Sequence, residues 1–94
     1  MDIKALMKQA QKMQEKLQKE IAEMKIEASS GGGMVNVTMS GTHELLSVRI
    51  SPDVVKSQDV EMLEDLVRAA VNEARRKIEE AMALKVGSLR VPGL

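Results

Sequence analysis

The stretch SGGGMVNVTMSGTHELLSVRI, residues 30–50, decides the fold. Three consecutive glycines, Gly31, Gly32 and Gly33, sit poorly inside any regular element and mark a turn. Beyond them Val35, Val37 and Met39 alternate with Asn36, Thr38 and Ser40, the period of two of a strand with one buried face. Gly41-Thr42 reads as a tight hairpin connection. The alternation then resumes, with Leu46, Val48 and Ile50 facing one way and Ser47 and Arg49 the other. Ser51-Pro52 closes it. Together with residues 26–30 ahead of the glycines, this predicts a three-stranded antiparallel meander over 26–51 with one apolar face.

On either side the period changes. From Asp2 to Lys25, apolar residues fall at Ile3, Leu6, Met7, Ala10, Met13, Leu17, Ile21 and Met24, which is helical spacing. Lys, Gln and Glu fill the rest, and all are good helix formers. At ~1.5 Å per residue, helix one (1–25) is about 35 Å long, more than a small sheet can cover. Helix two is expected over 57–86. Ser57 and Asp59 are N-cap types, and Glu61, Glu64 and Asp65 suit the positive end of the helix dipole. Val60, Leu63, Val67, Ala70, Val71, Ala74, Ile78 and Ala81 make its apolar face, and Gly87 is its expected end. Residues 87–94 form a tail, extended or loose. The chain is thus expected to be a single α+β domain over 1–94, helix–three-stranded antiparallel meander–helix, with the ends of the helices projecting as arms or packing on a second subunit.

Composition narrows the function. The chain lacks Phe, Trp and Tyr and carries eight Met, so its core is built from small and adaptable side chains. A domain of this size is marginal alone, which favours an oligomer. The absence of cysteine excludes disulfides, thiolate nucleophiles and Cys-ligated metals. No apolar run approaches the ~20 residues of a membrane span, and Met1-Asp2-Ile3-Lys4 lacks the apolar core of a secretory signal. A cytoplasmic location without membrane attachment is expected. Basic and acidic residues balance at fourteen each, so total charge does not favour a nucleic-acid partner.

The distribution of charge says more. Lys4, Lys8, Lys12, Lys16 and Lys19 fall within one arc of about 120° on a helix, nearly opposite its apolar face. Such a line of ammonium groups suits the regular phosphates of a duplex, through contacts that carry little sequence information. On a soluble helix, the same lysines also serve simply as a solvated face. Arg75, Arg76 and Lys77 make a second, shorter basic cluster on helix two.

Other candidates carry less. The glycine run precedes a strand and lacks the Lys of a phosphate cradle. His43, the only histidine, lies beside a turn with no converging partners, and the acidic trio has the spacing of a helix start. No catalytic residue, metal site, cofactor or small-molecule substrate is expected. The Met-rich ridge Met7, Met13 and Met24 suits a core, a subunit contact or a groove for a partner helix. The last would make the chain a protein-interaction adaptor.

Several stretches resemble the YbaB/EbfC family of bacterial nucleoid-associated proteins. They are LMKQAQKMQ (6–14), EASSGGGMV (27–35), DVEMLEDL (59–66), AAVNEA (69–74) and the closing VPGL (91–94). The resemblance covers nearly the whole chain; many members begin with a Gly-rich segment before the first helix, whereas this sequence starts almost at the helix. It implies a tweezer-like homodimer with long helices projecting from a joined β core. It also implies double-stranded DNA as partner, and a role in nucleoid organisation and gene expression. In that family the long helices are thought to face DNA. By matching position this falls on Lys4, Lys8, Lys12, Lys16 and Lys19, and on Arg75, Arg76 and Lys77.

Overall fold

Asp2 opens the first helix. Its backbone is extended, and its carboxylate accepts the amide of Lys4 at 3.0 Å, an N-cap that satisfies one otherwise unpaired donor. The computed structural model, which describes residues 2–88, continues this helix as α1 (Ile3–Glu23). Met24 turns extended and the next residue is already in a strand, so no flexible linker separates the helix from the sheet.

Three strands follow, β1 (Lys25–Ser30), β2 (Val35–Ser40) and β3 (Leu45–Ile50), in the spatial order β1-β2-β3 with both pairings antiparallel. This is the expected meander. Gly31, Gly32 and Gly33 take φ of +61°, +68° and +94°, a left-handed run that side chains with a Cβ rarely adopt. The register places Ala28 beside Val37, Val37 beside Val48, and Val35 beside Ile50, so the apolar residues share one face. The period of two leaves Leu45 out of phase with Val48. A one-residue bulge between Thr38 and Met39 absorbs the slip and sets Leu45 opposite Met39.

Between the meander and the last helix lies a short helix that periodicity did not suggest, α2 (Pro52–Lys56). Pro52 stands at its first position, where a missing N–H costs nothing. Val54 is buried beneath it. Ser57 Oγ donates to the Val54 carbonyl at 2.6 Å, and Gln58 breaks the chain direction at φ +60°. Asp59 then caps α3 (Val60–Ser88) by accepting the Met62 amide at 3.0 Å. The helix expected from residue 57 therefore starts three residues later, because the left-handed Gln58 interrupts it. It also runs through Gly87 to Ser88. A lone glycine within a helix costs only about 1 kcal/mol and need not end it. The rest of the expected tail, 89–94, lies outside the described residues.

The core sits between α3 and the sheet. Ala70, Ala74 and Ile78, four residues apart on one side of α3, meet Ala28, Val35, Val37 and Met39, and all are buried. Two alanines let the helix backbone approach the sheet closely, which is how a core without aromatic rings closes. α1 behaves differently. None of its residues is buried, and only Leu17 and Ile21 are even half-buried. It meets the body at its C-terminal end alone, and the molecule extends over 68 × 25 × 15 Å. Of the two long helices, α3 lies on the sheet and α1 stands off as an arm.

Candidate nucleic-acid interface

The arm carries the longest line of like charge. Lys4, Lys8, Lys12, Lys16 and Lys19 are all exposed. The line from Lys4 to Lys19 runs about 22 Å at 1.5 Å per residue. None of the five ammonium groups has a hydrogen bond or ion pair among the described residues. The nearby carboxylates do not neutralise it. Glu15 and Glu23 form no ion pair there, and Glu20 turns instead to Lys85 of α3, 3.5 Å away. The side chains opposite the lysines remain open as well. Ile3 is 70% exposed, Met7 66% and Met13 58%.

The second basic cluster is placed otherwise. Arg76 lies between two carboxylates, with its Nε 3.0 Å from Glu73 Oε2 and its terminal nitrogens on Glu73 and Glu80. The hydrogen bond from Arg76 holds the Glu73 carboxyl below the usual carboxylate range, and the same bond raises Arg76 further above its already high value. Arg75 faces Glu79 at 3.9 Å. Lys77 leans across to β1 and donates to the Glu27 carbonyl at 3.1 Å. The eight basic residues singled out in the sequence therefore divide. Five form an open line on the arm, and three are engaged with carboxylates or backbone on the body.

Residues 1–94 match the YbaB/EbfC DNA-binding family. The chain belongs to that family. Among relatives of this YbaB/EbfC chain, a nucleoid-associated protein of Thermoanaerobacter pseudethanolicus is 49% identical, covering 99% of this chain and 90% of its own. One from Koribacter versatilis is 47% identical over 98% of this chain and 95% of its own. The crystal structure of an uncharacterized Helicobacter pylori protein shares the fold, with a TM-score of 0.80 over 95% of this chain and 97% of that one, at 24% identity.

Three features of this family member escaped sequence reading. The Glu20–Lys85 bridge joins residues 65 positions apart, and no spacing rule reaches that far. Arg49 is exposed on β3, at a polar hollow shared with Ser29, Asn36, Thr38 and Ser47 on the outer face of the sheet. Gly41, read as a turn residue only, sits against the end of the arm. His43 is exposed with φ +67°, and no group of three His, Cys, Asp or Glu side chains gathers among the described residues. No helix among them is long and apolar enough to cross a membrane.

Proposed function

We propose that this chain is a non-enzymatic DNA-binding protein of the nucleoid that works as a homodimer. It grips double-stranded DNA chiefly by phosphate contacts with little sequence preference, and so affects nucleoid organisation and gene expression. The observation that carries the reading is the open lysine line on an arm clear of the body. Ammonium groups without carboxylate partners keep their full charge for phosphates, and each phosphate neutralised releases condensed counterion. Lys4, Lys8, Lys12, Lys16 and Lys19 make the main contacts. Arg75, Arg76 and Lys77 contribute less, because carboxylates or a backbone carbonyl compete for them.

Two uncovered apolar surfaces support the dimer. One is the arm's ridge, Ile3, Leu6, Met7 and Met13. The other is the apolar side of β3, where Leu45, Leu46, Val48 and Ile50 each stay 38% exposed or more because α3 covers β1 and β2 instead. Exposed patches of this kind mark interfaces, and a second copy would cover both and bring two lysine lines together.

The test pairs a salt titration of duplex binding with sedimentation of the same samples. Affinity should fall steeply with salt. Changing Lys8, Lys12 and Lys16 together to Glu should abolish binding at ~100 mM salt while the sedimenting species stays dimeric. Unaltered DNA retardation by that variant would place the site elsewhere, and a monomer at micromolar concentration would remove the paired grip.

A further inference from the structure

We infer that Gly41 is the positioning residue of the DNA-binding arm: the β2–β3 turn is the seat on which α1 stands, and only a residue without a side chain fits there. This rests on the lysine-line reading above for its functional consequence, but not for its geometry. A Cβ placed on Gly41 would fall 2.0 Å from the Ile21 carbonyl oxygen and 2.9 Å from its carbon. Both are backbone atoms of the last turn of α1, so no rotamer change relieves the contact. Gly41 is buried, and its own amide donates to the Met24 carbonyl at 3.0 Å, immediately past the helix end. The turn thus holds the end of α1 by direct backbone contact at Ile21 and by one hydrogen bond to Met24, the residue that follows the helix.

The seat is stiff. Ser40 is buried, and its hydroxyl accepts the Glu44 amide at 3.1 Å and shares a 2.8 Å hydrogen bond with Thr42 Oγ1. Ser40 also donates its amide to the Glu44 carbonyl and accepts that of His43, so the turn is closed from both sides. Across the arm, Glu20 and Lys85 form the second fastening. From Ile3 to Lys16 every residue of α1 is exposed, so this joint alone sets the arm's direction within the subunit.

Direction matters because the arm is a lever. Lys4 lies seventeen residues from Ile21, about 26 Å along the helix, so each degree of tilt at the seat moves it by roughly half an ångström. Admitting a methyl group at position 41 requires the 2.0 Å contact to open by about an ångström. A shift of that size so near the pivot swings the far lysines by several ångströms, enough to lose register with phosphates.

The experiment uses the full chain, whose lack of cysteine permits clean labelling. Spin labels are placed by Gln11→Cys on the arm and Asn72→Cys on α3, both exposed sites, and labelled chain is diluted in unlabelled chain so that distances are read within one subunit. Gly41→Ala should shift or broaden the arm-to-body distance by about 5 Å and weaken duplex binding by roughly tenfold. The thermal melt of the body should persist, since the α3–sheet core contains no α1 residue. A distance distribution equal to the unsubstituted protein's would overturn the proposal. So would a displaced arm that binds DNA undiminished while the Lys8, Lys12 and Lys16 reversal abolishes binding. If that reversal leaves binding intact, the lysine-line reading fails, and the distance measurement alone decides whether Gly41 seats the arm. Should Gly41→Ala not fold, Ile21→Ala loosens the same joint without a clash. It should broaden the distance distribution, and an unbroadened one sinks the idea.

Discussion

The two long helices begin from similar resources and end in opposite situations. Each carries five cations: Lys4, Lys8, Lys12, Lys16 and Lys19 in α1, and Arg68, Arg75, Arg76, Lys77 and Lys85 in α3. Carboxylates number three in α1 and six in α3, and that ratio separates them. All five α3 cations have partners, four on carboxylates and Lys77 on a backbone carbonyl. The arm lysines have none among the described residues. Their apolar faces diverge too, for that of α3 is buried against the sheet while that of α1 is open. One helix uses its side chains to complete the fold, and the other holds them out.

The largest contrast should appear in stability. Ile78→Ala on α3 empties a fully buried site and should cost about 3 kcal/mol in urea unfolding. Leu6→Ala on the exposed arm ridge should cost under about 0.5 kcal/mol in dilute protein. The latter cost should grow with concentration if a second copy covers the ridge. Equal, concentration-independent costs at the two sites would erase the distinction. In DNA binding, Lys12→Ala should weaken affinity several-fold and lower the salt slope by about one unit, whereas Arg76→Ala should change either quantity far less. A reversed order would make α3 the main contact.

A subtler change would convert one helix towards the other. Glu73→Gln combined with Glu80→Gln removes the carboxylates around Arg76 and should raise duplex affinity by about twofold at low salt. No gain would mean that this side of α3 points away from DNA. The smallest effect is a titration. The Glu73 carboxyl should ionise below the ordinary glutamate midpoint of about 4.3, and Arg76→Ala should return it there, as followed by carboxyl carbon NMR. Because the folded value is depressed, the stabilisation from this pair is present above the unfolded glutamate value and is lost as pH falls through the folded one. The pair is exposed, so that change in stability should be slight.

The meander was legible because strand alternation and a triple glycine are local signals. The arc of five lysines was legible because a helix turns by a fixed angle per residue. The bulge at Thr38 and Met39 was not, although Leu45 and Leu46 in succession hinted at a phase change. α2 hid behind Ser51-Pro52, which reads equally as the end of a strand and the start of a helix. The helix-two pairs at spacings of three and four were present in the sequence as possibilities. Glu15 had partners at those spacings as well, Lys12 and Lys19, and took neither.

What the sequence determined by itself was periodicity: which residues share a face, where elements begin to form, and how charge is distributed around each helix. The tertiary structure decided which faces are covered and which charges are answered. It set α3 on the sheet and α1 off it, turned Lys77 to a carbonyl fifty residues away, linked Glu20 to Lys85, and pressed Gly41 against Ile21. Periodicity follows from bond geometry within a few residues, whereas these contacts exist only once distant segments occupy the same small volume.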